Sequence, residues 1–259
     1  MVSPHPRRKN KRRKNKRSPE KGRVRRLSIV FFRMMLGFMA ISFLFVLTLR
    51  WLNPPVSMMM ILQRYDAAVS HRKDFRIDYR WVNWEQIAIH LPLALIAAED
   101  QKFATHHGFD FESIADAVET RMNGGRLRGA STISQQVAKN LFLWPGKSLL
   151  RKGIEAYFTT LIEMLWSKQR ILEVYMNIIE LGDGIFGVEA ASHKFFKKPA
   201  SRIRLWEAAR LAAVLPNPKA MSPNHPSPHV SKRARWIRRQ ISRMGGKRVL
   251  NKIETARIR

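Results

Sequence analysis

A chain of 259 residues that is 45% apolar can bury a sizeable core, so it is not an intrinsically disordered protein, and its length suits one domain with appendages. A net charge of +29 would suit a nucleic-acid binder, but residues 1–26 hold 13 Lys and Arg and residues 231–259 hold 11, which leaves 22 basic against 17 acidic residues between 53 and 230. The absence of cysteine excludes disulfides and thiolate metal sites and fits a reducing or an oxidising compartment equally.

Residues 27–48, LSIVFFRMMLGFMAISFLFVLT, form a 22-residue apolar run whose only charge is Arg33, near enough to the basic end to snorkel. The run predicts a transmembrane helix. A cleaved signal peptide is the rival, but Trp51-Leu52-Asn53-Pro54-Pro55 is not a small-residue cleavage site. The basic tail, residues 1–26, outweighs Arg50, Arg64 and Arg72 beyond the span, so the tail is expected in the cytoplasm and the rest outside it. Beside a span, such a tail reads as a lipid contact and topology signal, and no nucleic-acid partner is expected.

Residues 49–90 read as a linker and approach segment, with a helix from Met58 to Val69. Ser70 to Lys73 and Ser18 to Lys21 match an S-x-x-K pattern, but no K-T-G follows, and both are read as chance. The stretch LPLALIAAED, from Leu91, predicts a helix buried nearly all round, with Pro92 in its first turn and the acids Glu99 and Asp100 at its end. Burial raises a carboxyl pKa, which suits a general base or acid near neutrality; an ordinary solvated acid pair is the alternative. Asp110 can cap a helix to about Met122 with Phe111, Ile114, Ala115 and Val118 along one face.

The loop that follows, NGGRLRGAST, mixes glycine with arginine and leads to Ser131 and Thr132, where Thr132 and Gln135 fit a capping box. Ile133, Val137 and Leu141 then share one helix face, with Gln135, Gln136 and Lys139 toward another. A helix N-terminus with hydroxyls and a lysine a turn or two later suits a phosphate. Phe142 to Trp144 form an apolar edge. A helix from Ser148 to about Trp166 carries Arg151, Lys152 and Glu155 as surface neighbours, and a plain ion pair there is the bland reading. A helix from Lys168 to about Leu181 should bury Ile171, Tyr175, Ile178 and Ile179. Residues 203–215 should form another buried helix, and a basic helix should run from Ser231. His106 and His107 are adjacent and diverge, and neither H-E-x-x-H nor G-x-S-x-G occurs.

In order and spacing these motifs closely resemble the peptidoglycan glycosyltransferases of glycosyltransferase family 51, over roughly Leu91 to Pro218. Glu99, Asp100, Phe103, His106 and Gly108 fit the first family motif, and Arg128, Gly129, Ser131, Thr132, Ile133, Gln135 and Gln136 the second. Arg151, Lys152 and Glu155 fit the third, Lys168 to Asn177 contains a fourth, and RLAAVLPNP from Arg210 looks like a fifth; Ala130, Ser134 and Met176 depart from the usual residues. The resemblance implies a mainly α, lysozyme-like glycosyltransferase domain over residues 91–230, between the predicted transmembrane helix and the basic helix over 231–259; bifunctional relatives carry a second, penicillin-binding domain, for which this chain is expected to be too short. It implies a single-pass protein of the bacterial cytoplasmic membrane with its catalytic domain on the periplasmic side.

It further implies inverting transfer between lipid II and a growing glycan chain, with Glu99 and Glu155 catalytic. Asp100, Phe103, His106, Arg128, Ser131, Gln135, Gln136, Lys139, Arg151 and Lys152 would be substrate-binding. A divalent cation, Mg or Mn, is compatible near Glu155, and other cell-wall synthesis or division proteins are compatible partners. Two rivals stand beside this reading: a lysozyme-like lytic muramidase, and a non-enzymatic membrane-anchored scaffold.

Overall fold

The computed structural model describes residues 19–125 and 131–255. Arg128 and Gly129, expected in the site, and most of the basic tail, residues 1–18, therefore lie outside the described residues. The chain divides into residues 1–45 and 46–259, and each unit is taken separately.

In the first unit the described residues are helical, part of α1 (Pro19–Thr48). From Arg25 to Thr48 this helix has mean hydropathy 2.3, and at 1.5 Å per residue it is long and apolar enough to cross a membrane. Its large side chains, Phe31 and Ile41 among them, are mostly exposed, as suits a lipid-facing helix.

The second unit contains ten further helices among the described residues, and polar caps set several of their starts. Ser57 accepts from Met60 N–H to open α2 (Met58–Val69), and Asp110 from Ser113 N–H to open α4 (Phe111–Met122). Between them lies α3 (His90–Glu99), which buries every residue from Leu91 to Ala97. The predicted capping box is present at α5 (Ile133–Phe142): Gln135 N–H donates to Thr132 Oγ1, and Thr132 N–H to Gln135 Oε1. Ser148 caps α6 (Leu149–Leu165) and Ser167 caps α7 (Lys168–Ile178). Next come α8 (Val188–Phe196), α9 (Leu205–Ala213), α10 (Pro228–Arg243) and α11 (Lys247–Thr255). Helices α9 and α10 pack on α3, and α6 and α7 pack on α5, so two helix groups meet where α3 ends and α5 begins.

Several expectations are corrected. Residues 49–90 are folded into the unit: the Arg170 guanidinium donates to Leu49 O, Leu52 O and Asn53 Oδ1. Strand β1 (Asp78–Tyr79) pairs parallel with β3 (Ile185–Phe186), whose other neighbour is the antiparallel β2 (Glu180–Gly182). The helix expected to reach Leu181 stops at Ile178 because residues 180–182 enter that small sheet. The basic C-terminal helix is two helices, divided at Gly245 and Gly246. Helix α4 has the predicted extent, but its apolar face is not buried: Phe111 is 75% and Val118 51% exposed, and only Ala117 is buried.

Asn177 ties the approach segment to α7. Fully buried, it accepts Val82 N–H on Oδ1 (2.8 Å) and donates through Nδ2 to Val82 O (2.9 Å) and Glu173 O (2.9 Å). Its backbone sits so close to Gly187 that a Cβ there would fall 2.5 Å from Asn177 O, and Gly187 also takes a positive φ of 83°. Asn177→Ala leaves two buried backbone groups of Val82 without partners, at about 1–3 kcal/mol each. Thermal unfolding of the detergent-solubilised chain should move down by at least several degrees, and an unchanged Tm would contradict this role.

Candidate active site

The C-terminus of α3 and the N-terminus of α5 meet through one carboxylate. Asp100 Oδ2 accepts Ile133 N–H at 2.9 Å, so a negative charge caps the positive end of α5. His106 Nε2 lies 3.0 and 2.9 Å from the two Asp100 oxygens. Because Gly108 N–H donates to His106 Nδ1 (3.1 Å), the ring proton sits on Nε2 and points at Asp100. Thr132 Oγ1 closes the loop by donating to Gly108 O at 2.7 Å. Gly108 has φ of 88°, and an added Cβ would approach Glu163 Cγ and Thr159 Cγ2 to 3.0 Å each, which explains glycine there.

This junction presents Glu99 beside a cleft. Its side chain is 18% exposed; Gln136 Nε2 donates to Oε2 at 3.1 Å, and Arg233 NH2 lies 3.3 Å from Oε1. Burial raises the Glu99 pKa, the neighbouring Asp100 adds to this, and Gln136, Arg233 and Lys139 oppose it. Behind Gln136, Tyr175 O–H donates to Gln136 Oε1 at 3.1 Å, which fixes the amide with its N–H toward Glu99. Complete burial holds the Tyr175 phenol well above its ordinary pKa.

On the other side of Gln136 lies a cationic wall. Glu155, 3% exposed, accepts from Arg151 NH1 (2.7 Å) and Lys152 Nζ (2.5 Å), while Arg151 Nε donates to Gly146 O (2.8 Å). Lys139 has its pKa lowered, first by burial, with Arg151 and Lys152 adding to this and Glu155 and Glu99 opposing it. Such a lysine gains from an arriving anion.

Three cavities surround the junction and share Ser131. One of about 1000 Å³ is lined by Glu99, Gln136, His229, Lys232, Arg233 and Trp236 among others. A second, of about 420 Å³, is lined by Gln136, Lys139, Lys147, Arg151, Lys152 and Glu155 among others. The third, of about 260 Å³, lies over Asp100, Lys102 and Asp110.

Of the expected site residues, Glu99, Ser131, Gln136, Lys139, Arg151, Lys152 and Glu155 line the two larger cavities. Phe103 and His106 lie beneath the site rather than on its surface. Phe103 is fully buried with Lys168 Nζ 4.6 Å from its ring centroid, the His106 side chain is 7% exposed, and neither lines any of these three cavities. Asp100 and Gln135 reach a cavity wall, but their bonds to Ile133, His106 and Thr132 make them parts of the frame. A divalent ion does not fit at Glu155 as placed: Arg151 and Lys152 occupy its two oxygens, and no group of three His, Cys, Asp or Glu side chains gathers among the described residues.

The sequence reading missed Arg233 and the rest of the α10 contribution. A signal was present, since His229, Lys232, Arg233 and Trp236 share one helix face while Val230, Ala234, Ile237 and Ile241 share another.

Comparison with known proteins gives the family. A family model described as Transglycosylase matches residues 67–242, which takes in α3, α5, α6 and most of α10. A "Biosynthetic peptidoglycan transglycosylase" of Xylella fastidiosa (strain M12) is 49% identical over 210 residues, 81% of this chain and 86% of that protein. One of the same description from Pseudomonas savastanoi pv. phaseolicola is 49% identical over 224 residues, 86% of this chain and 94% of that protein. A third, from Xanthomonas campestris pv. campestris (strain B100), is 49% identical over 209 residues, 81% and 85% of the two chains. With a family match that spans the whole of the cleft, the chain belongs to the transglycosylase family.

Proposed function

We propose that this chain is a peptidoglycan glycosyltransferase that polymerises lipid II into glycan strands with release of undecaprenyl pyrophosphate. The observation that carries this reading is the adjacency of a desolvated carboxylate, Glu99, to a cationic pocket across Gln136 and Ser131. Transfer from a lipid-pyrophosphate donor needs both parts: a base for the attacking hydroxyl and positive charge for the departing pyrophosphate.

In this mechanism Glu99 takes the proton of the acceptor sugar hydroxyl as that oxygen attacks the donor's anomeric carbon. The carbon–oxygen bond to pyrophosphate breaks on the opposite face and inverts the centre. Lys139, Arg151 and Lys152 stabilise the leaving charge, and the exposed Ser131 and the α5 N-terminus stand beside it. Glu155 holds Arg151 and Lys152 in place. The larger cleft, walled by α10, has the volume for the sugars.

A lytic muramidase fits less well. Hydrolysis normally uses two carboxylates about one bond, and here the second is bound on both oxygens by cations, so it is not placed to activate water. The apolar side chains exposed near the cationic pocket, Leu149, Leu150 and Trp144, suit lipid-linked substrates. The apolar helix would anchor the enzyme in the cytoplasmic membrane, with the basic tail inside and the catalytic unit on the periplasmic side. A reporter fused after Arg259 should be active only outside the cytoplasm, and a cytoplasmic signal would overturn that orientation.

Detergent-solubilised chain supplied with lipid II should yield uncrosslinked glycan polymer; muropeptide cleavage without polymer would overturn the proposal. Glu99→Gln should lower the rate by roughly 10²–10⁴ with substrate binding largely kept, because it removes proton acceptance and keeps size. Glu155→Gln should lower the rate and also alter donor dependence, since Arg151 and Lys152 lose their anchor. Normal rates in both variants would sink the assignment.

Arg233 supplies a separate prediction. The base must be deprotonated, so kcat/KM rises with pH through the Glu99 pKa, and the Arg233 charge holds that pKa down against burial. Arg233→Met should move the acid limb of the profile to higher pH and leave the plateau less affected. A limb that stays in place would show that Arg233 does not act on Glu99.

A further inference from the structure

Helix α10 is basic on both sides of its buried stripe, and only one side serves the cleft. Its sequence, PHVSKRARWIRRQISR, contains no carboxylate. On the flank away from Glu99, a cavity of about 240 Å³ is lined by Trp206, Arg210, Ser231, Ala234, Arg235 and Arg238. Arg235 and Arg238 are one turn apart, so their like charges are neighbours and repel. Arg210, half-buried on α9, has its guanidinium carbon 4.7 Å from the Trp206 ring centroid. Phe196 packs edge-on against that ring at 5.8 Å.

No acid lines this cavity. Glu207, on the same helix as Trp206 and Arg210, is committed to Lys198 Nζ (2.5 Å) and Arg204 N–H (2.7 Å). Among the described residues, none of the three arginines is ion-paired, in contrast to Arg151, Arg170 and Arg233. Three arginines lining one cavity without a counter-charge, with a hydroxyl and an aromatic ring beside them, suit a tetrahedral oxyanion.

We propose that this α9–α10 cavity binds a phosphate group, as an anionic phospholipid headgroup or as free phosphate, at a site separate from the transfer cleft. Guanidinium pairs match phosphate oxygens two at a time, and the volume admits a phosphoryl group with a short ester arm but not a disaccharide.

The test is titration of the full detergent-solubilised chain, by calorimetry and native mass spectrometry, with inorganic phosphate in one arm and short-chain phosphatidylglycerol in the other. Arg235→Gln with Arg238→Gln should weaken saturable binding roughly tenfold or more, the scale of losing charged hydrogen bonds, and should leave Tm unchanged because both side chains are exposed. Binding lost in the lipid arm alone identifies a headgroup site, and binding lost in the phosphate arm identifies a soluble ligand. The proposal is overturned if the double variant binds both probes as the parent does. It is equally overturned if the charge-matched control, Lys247→Gln with Lys252→Gln on α11, weakens binding as much.

Discussion

The fold turns on one charged contact, the Asp100 carboxylate against the first amide of α5. Helix α3 ends where α5 begins, and each end leaves backbone groups that its own helix cannot satisfy. Asp100 answers the N-terminal deficit of α5 with a full negative charge, and His106, Gly108 and Thr132 pass hydrogen bonds around the same corner. Two helix groups are thereby fixed end to end, and Glu99, one residue earlier, faces the cleft between them. A buried carboxylate is costly unless every oxygen is bonded, so this corner tolerates little displacement.

That frame also explains why two adjacent acids behave differently. Asp100 spends its oxygens on protein donors, whereas Glu99 receives one bond from Gln136 and a longer approach from Arg233 and keeps a face toward the cavity. Burial alone would favour the neutral acid. The guanidinium from α10 works against that tendency from the far side of the cleft, so a helix that begins at residue 228 tunes a carboxylate at residue 99.

Much of this was legible in the sequence because it rests on local chemistry. Asp110 and Thr132 are caps whose short polar side chains mark helix starts, and the observed helices begin just after them. The all-apolar run before Glu99 announced a buried helix. What stayed hidden depends on partners distant in the chain. Phe103 sits in a motif that reads as functional, yet it is fully buried with Lys168 of α7 over its ring, a neighbour that sequence spacing does not place beside it. The apolar face of α4 follows the helical period, but period does not report whether anything covers it. Residues 78–79 and 185–186 pair across more than 100 positions, and a two-residue strand leaves no alternation to detect.

The short polar chain behind Glu99 has a direction. Tyr175 gives its hydrogen to the carbonyl end of Gln136, and the amide end of Gln136 gives one to Glu99. An amide nitrogen has no lone pair with which to take a hydrogen back. A proton on Glu99 is therefore not relayed inward through Gln136, and it exchanges with the water of the two cavities that Glu99 lines. The protonation state of Glu99 is thus set from the solvent side, by what fills those cavities, and is insulated from the buried phenol behind Gln136.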